Sequence, residues 1–199
     1  MRTSKPISNI GYISPELFRQ RANDLRQSGA VGPVVWVSHK PEGGDKKPHL
    51  HILLLDGWGT YETVGLEAKF GYEIFPDGSK ASLTARWQRT KDVRDWILYA
   101  IHEPTYLARK ATFGKTAYSW DDLKITSGDE EILESLKNEA IEALEAGEGL
   151  VYRIVRHWVK QGKDWPSLVV SGLLPIATYG NAKYLFDTLK GRSVGACAD

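Results

Sequence analysis

Along the first ninety residues, short apolar runs alternate with polar breaks, the rhythm of strands separated by turns rather than of long helices. Residues 7–13 read as an opening strand. Ser14 followed by Pro15 then supplies the N-cap and first-turn signals of a helix running to about Gly29. The β-branched run VVWVSH from Val34 predicts a second strand. The aliphatic run from His51 to Leu55, entered from the charged loop KPEGGDKK, predicts a third strand joined to the second as a hairpin. Residues 66–75 and 81–87 flank PDGS, which predicts a further hairpin.

In residues 91–103, KDVRDWILYAIHE, the period changes. At about 100° per residue, Val93, Trp96, Ile97, Ala100 and Ile101 gather on one side, and Asp92, Asp95, Tyr99, His102 and Glu103 on the other. A helix packed on the sheet by its apolar stripe follows, with Tyr99 and His102 facing outward together. A break at Ser127 and Gly128 precedes an acidic amphipathic helix over residues 129–146. Further helices are predicted over 151–160 and 180–190, with Gly162, Pro166 and Gly172 interrupting between them. The pattern is α+β: an antiparallel sheet with flanking helices in residues 1–127, then a small all-helical C-terminal domain in residues 128–199.

Composition changes this picture little, but charge does. With 199 residues, 42% hydrophobic and 26% charged, the chain has the make-up of an ordinary globular protein. No apolar run approaches the roughly 20 residues of a membrane span, and MRTSKPISNI lacks the apolar stretch of a signal peptide. Cys197, the single cysteine, rules out a disulfide within the chain, so a cytoplasmic protein with no membrane partner is expected. The net charge of +1 hides a division. Residues 128–150 hold eight acidic side chains against Lys137, which leaves 25 basic and 17 acidic residues elsewhere. A basic body with an acidic segment attached is compatible with a polyanionic partner.

The candidate chemistry sits in KKPHLHILLL, residues 46–55. Strand alternation puts His49 and His51 on one face and Leu50 on the other. His39 ends the preceding strand and Glu42 lies three residues on, in the hairpin that returns toward His49. Three imidazoles and a carboxylate would suit Mn²⁺, Zn²⁺ or a similar ion, with positions open for a substrate oxygen. A tyrosine on the following helix is the second element. A phenol, with a pKa of about 10, is a poor nucleophile near neutral pH, and it becomes useful where a metal polarises the phosphate it attacks.

The ordered set SHKPEGGDKKPHLHILLL, RDWILYAIHE and GKTAYSWDDL resembles the HUH endonuclease superfamily, and within it the rolling-circle replication initiators of small plasmids. The resemblance covers roughly residues 7–125. It implies an HUH nuclease fold with an RRM or ferredoxin-like core, a metal-binding pair His49 and His51, an additional histidine His39, and Tyr99 as nucleophile. Glu42 stands where the family's motif has aspartate, and YAIH replaces the commoner YLxH. His102, one turn beyond Tyr99, is placed to orient the phenol or the phosphate, and Tyr118 is a second candidate tyrosine. Lys46, Lys47, Arg86, Arg89, Arg109, Lys110 and Lys115 are candidates for contacts to DNA phosphates.

The implied activity is metal-dependent nicking and rejoining of single-stranded or hairpin origin DNA of a plasmid or phage. The implied cofactor is a divalent metal, Mn²⁺ or Mg²⁺. Host helicase and polymerase are implied partners, and oligomerisation through the C-terminal helices is implied first for the tail. Conjugative relaxases carry their tyrosine ahead of the histidines, unlike this chain. The alternatives are a single-tyrosine transposase of the same superfamily, a non-catalytic DNA-binding regulator of that fold, and a small-molecule metalloenzyme built on the HxH pair alone.

Overall fold

The computed structural model describes residues 5–40, 47–58, 65–84, 86–110, 115–146, 150–174 and 179–195. Its strands are β1 (Lys5–Gly11), β2 (Val34–His39), β3 (His49–Trp58), β4 (Tyr72–Ile74), β5 (Lys80–Ser82), β6 (Gln88–Arg89) and β7 (Lys124–Ile125). The helices are α1 (Pro15–Gln27), α2 (Leu66–Phe70), α3 (Val93–Ala100), α4 (Pro104–Arg109), α5 (Glu130–Ala146), α6 (Leu150–Lys160), α7 (Trp165–Val170) and α8 (Tyr179–Gly195). The fold is mixed α and β. Five strands form one sheet in the order β6-β1-β3-β2-β7, every neighbouring pair antiparallel, while β4 and β5 form a separate ribbon.

Contacts divide the chain into two compact units, residues 1–101 with 119–140, and residues 102–118 with 141–199. The boundary expected from the sequence was a single cut after residue 127, whereas each unit is made of two segments. The first unit holds the sheet. On one face, Ile7, Val34, Trp36, Leu50, Ile52 and Leu54 pack with Phe18 and Ala22 of α1 and with Leu66 and Phe70 of α2. The Phe18 ring stacks on Phe70 at 5.5 Å and meets Trp36 edge-on at 5.4 Å. Each fully buried side chain of this size contributes about 1.5–3 kcal/mol. Alternation then sends Val35, Val37, His39, His51 and Leu53 to the opposite face, where the candidate chemistry lies.

Several elements differ from the sequence expectation, each for a physical reason. Residues 66–75 are not one strand: Leu66 and Phe70, four apart, both bury as one turn of α2, bounded by Gly65 and Gly71 at φ 78° and 68°. Only Tyr72–Ile74 remains extended, and it pairs with Lys80–Ser82 across the expected PDGS turn, where Asp77 accepts from the Ser79 backbone N–H. Of residues 81–87 only the start belongs to that ribbon, and Leu83 makes an isolated bridge to Gly11. The helix expected over 91–103 begins at an Asp92 cap but ends at Ala100. Pro104 excludes Glu103 from helical backbone, and His102 takes φ 50°. Glu103 caps α4 instead, accepting from the Tyr106 backbone N–H at 2.8 Å.

In the second unit Val155 of α6, Leu168 of α7 and Ala182, Leu185 and Phe186 of α8 form their own buried cluster. Pro166, expected as an interruption, sits in the first turn of α7, where it costs no helical hydrogen bond, behind an Asp164 cap that accepts from Ser167. Among the described residues, no helix is long and apolar enough to cross a membrane.

Candidate metal centre

The pleat of two strands decides which histidines meet. His49 and His51 are two apart on β3, and antiparallel register sets His39 of β2 directly opposite His49. All three imidazoles therefore stand on one face, with ring centroids 5.1 Å apart for His39 and His49, 4.4 Å for His39 and His51, and 5.1 Å for His49 and His51. One nitrogen of each lies within 4.8 Å of the others. Ligands at about 2.1 Å from one ion sit about 3–4 Å apart, so modest side-chain rotations bring three such nitrogens onto one centre. The cluster can hold a metal ion.

Hydrogen bonds orient two of these rings. His39 is 2% exposed, and its Nε2 lies 2.6 Å from the carbonyl oxygen of Ala100. A carbonyl only accepts, so Nε2–H donates, and Nδ1 is the atom His39 has for a cation. His49 donates from Nδ1 to the Lys47 carbonyl at 3.1 Å, which leaves Nε2 for the same purpose. Such partners fix the tautomer and hold the ring in a metal site. Imidazole donors of this kind suit Mn²⁺, Zn²⁺ and their neighbours better than Mg²⁺, which prefers oxygen.

Tyr99 belongs to the same assembly. It lies on the last turn of α3, next to the residue that accepts from His39, and its ring meets that of His51 edge-on at 5.7 Å and 80°. It is 44% exposed, so a bulky substrate can reach the phenol. Tyr12, just beyond β1, was not among the sequence candidates, yet its ring lies 6.4 Å from His49 and is equally exposed. Ile10 pairs with His51, so alternation carries Tyr12 to the histidine face, but only the β1–β3 register reveals this.

The remaining candidates separate. Glu42 and Lys46 lie outside the described residues, as does the side chain of Arg109, which falls in α4. Lys47, Arg86 and Arg89 are exposed on the first unit, with Arg89 on the edge strand β6. Lys110, exposed, and Lys115, half-buried, belong to the second unit, where the Lys110 ammonium lies over the Tyr106 ring at 5.4 Å. His102 does not face outward with Tyr99 as the helical pattern predicted. It belongs to the second unit, is 3% exposed, and donates from Nδ1 to the Thr116 carbonyl at 2.8 Å. Its ring packs 5.6 Å from that of Tyr118, itself only 7% exposed.

Compared with family models, curated proteins and solved structures, the chain matches none.

Proposed function

We propose that this protein is a metal-dependent, site-specific DNA nickase and strand transferase that starts rolling-circle replication, on an HUH-type fold. The observation that carries this reading is the convergence of His39, His49 and His51 on one sheet face with the exposed phenol of Tyr99 beside His51. A small-molecule metalloenzyme needs no exposed tyrosine at the rim of its metal site. A phosphodiester-transferring enzyme does, because its nucleophile must reach a polymer.

A divalent cation held by the three imidazoles, Mn²⁺ ahead of Mg²⁺, would polarise the scissile phosphodiester and offset charge developing on it. The protein's own groups do the rest. The Tyr99 oxygen attacks phosphorus, forming an O–P bond while the bond from phosphorus to the 3′ oxygen breaks. The phenol loses one proton and the departing 3′ oxygen gains one, so the step is balanced and leaves a 5′-phosphotyrosine and a 3′-hydroxyl primer. The phosphodiester is exchanged rather than hydrolysed, so the nick reseals by reversal. His39 holds its tautomer through Ala100, one residue from the nucleophile, which keeps metal ligand and phenol in a fixed relation. The burial of Tyr118 against the exposure of Tyr99 favours Tyr99 as nucleophile.

The test uses single-stranded oligonucleotides tiled across the replicon that carries the gene, with Mn²⁺ or EDTA, on a denaturing gel. A metal-dependent covalent adduct mapped by mass spectrometry to Tyr99, and lost in Tyr99→Phe, is the expected result. Binding with no adduct anywhere would turn the reading to a DNA-binding regulator.

A further inference from the structure

Two phenols stand at different rings of the histidine cluster. Tyr99 meets His51 from α3, whereas Tyr12, carried in just beyond the end of β1, lies 6.4 Å from His49. Each is 44% exposed, so a polymer can reach either side chain. Tyr12 and His49 also share the lining of a groove of about 1480 Å³, wholly within the first unit, to which the exposed cations Lys47 and Lys80 contribute. A nucleic-acid strand led along this groove by its phosphates comes to the metal centre past Tyr12.

The backbone that carries Tyr12 is firmly held. Its N–H donates to the Ser82 carbonyl at 3.1 Å, and the preceding Gly11 bridges to Leu83. The β4–β5 ribbon that supplies Ser82 is anchored in turn. Arg21 of α1 donates to the carbonyls of Phe70 and Tyr72 at 2.7 and 3.0 Å, and the Ser14 backbone N–H donates to Glu73 at 2.6 Å. Tyr12 is therefore a preplaced group rather than a side chain on a loose loop.

We infer that Tyr12 is the general acid of the nicking step, its hydroxyl giving a proton to the departing 3′ oxygen while the Tyr99 oxygen closes on phosphorus. The inference rests on the proposed nickase reading, since it names the second catalytic group of that site. Phosphoryl transfer keeps the attacking and leaving oxygens roughly in line through phosphorus. With Tyr99 attacking from the His51 side, the leaving oxygen points away from it, and the phenol beside His49 is the one placed to meet it. A phenolic O–H is a donor that suits this task. In the step, the bond from the Tyr99 oxygen to phosphorus forms and the bond from phosphorus to the 3′ oxygen breaks. The Tyr12 proton passes to the 3′ oxygen and the Tyr99 proton to solvent, so atoms and charge balance with Tyr12 left as phenolate. In rejoining, Tyr12 takes the proton back from the 3′-hydroxyl as a general base.

The experiment uses the full chain with Mn²⁺ in single-turnover reactions on the oligonucleotide that the tiling test shows to be cleaved. One version is natural, and the other carries sulfur in place of the bridging 3′ oxygen. A thiolate leaves without needing a proton, so the sulfur strand bypasses a general acid. Tyr12→Phe keeps the ring and removes only the hydroxyl. It is expected to cleave the natural strand about 100-fold more slowly than the wild type, and the sulfur strand within about threefold of it. Its Mn²⁺ affinity by isothermal titration and its affinity for the natural oligonucleotide by anisotropy should stay within about threefold of wild type, since the hydroxyl acts in the transition state. Cleavage of the natural strand at the wild-type rate overturns the inference and leaves the nickase reading standing. A slow Tyr12→Phe that sulfur does not restore, or one that loses Mn²⁺ or DNA binding, also overturns it, because the hydroxyl then has a structural or binding role. An adduct mapped to Tyr12 makes that residue a nucleophile instead and overturns it as well. No adduct from the wild type on any oligonucleotide removes both the inference and the nickase reading.

Discussion

Tyr99 and Ala100 are consecutive residues, one offering a phenol at the rim of the histidine cluster and the other a carbonyl that pins His39. The proposed nucleophile and the carbonyl that orients His39 therefore share one helical turn. Removing a ligand is a separate matter. His51→Ala is expected to weaken Mn²⁺ binding by more than the roughly 10–100-fold that outer partners of a metal ligand carry, and to abolish adduct formation. Tyr99→Phe should leave the Mn²⁺ affinity within about threefold of wild type, because the phenol lies beside the cluster rather than in it. Isothermal titration separates the two, and Mn²⁺ binding unchanged in His51→Ala would dismantle the site as drawn. At this scale the histidines were legible because strand alternation is local: two residues apart means one face. Tyr12 was not legible, because its nearness to His49 depends on the pairing of β1 with β3, which no local pattern encodes.

Among the elements, strands and helices with a strong period were readable, and short ones failed where tertiary contacts overruled them. LEAKFGYEI reads as one extended run until Phe70 finds Phe18 and curls its own end into α2. Gly71 makes the change of direction possible. Its φ is 68°, and a β-carbon there would stand 3.0 Å from the Arg21 guanidinium that ties the ribbon to α1. Gly71→Ala is expected to cost about 1–3 kcal/mol in urea unfolding, from left-handed strain and displacement of Arg21. A cost near zero would mean the ribbon is not held through that arginine.

The link between Thr126, Asp129 and α1 is of the same kind. Asp129 is 5% exposed and accepts twice from Arg26 at 2.8 Å and once from Thr126 at 2.6 Å, while the Thr126 hydroxyl accepts from the Val34 backbone N–H. The Arg26 guanidinium first, and Thr126 after it, hold the Asp129 carboxyl below its ordinary value of 3.8. A lowered folded-state value gives stability that is present above the unfolded value and lost as pH falls through the folded one. Asp129→Asn is therefore expected to cost about 2–3 kcal/mol at pH 7, with Arg26 a third exposed and so partly screened. The gap between variant and wild type should narrow as pH falls below 3.8. A gap that stays constant from pH 7 to pH 3 would show that the carboxylate charge contributes nothing.

Over the whole molecule, what the sequence disclosed best was the distribution of charge, which requires no folding to read. Residues 128–150 carry eight acidic side chains, and the rest of the chain has 25 basic against 17 acidic residues. The division into units was harder to see, because the acidic helix α5 begins in the first unit and ends in the second, so no composition break marks the boundary. On the first unit, Lys47, Lys80, Arg86 and Arg89 are exposed. If a single strand lies along these four cations, each phosphate contact contributes about 0.7 to the slope of log affinity against log salt, so the slope should be about −3. Replacing Lys47 and Arg89 together by alanine should reduce it to about −1.5 and weaken all sequences alike, since phosphate contacts carry no base preference. Anisotropy titrations of an oligothymidine between 50 and 300 mM salt, over which the Debye length falls from about 14 Å to about 6 Å, read both numbers. A slope near zero in the wild type would place the strand away from this surface. A steep slope that the double variant leaves intact would move the phosphate track to the basic residues of the second unit.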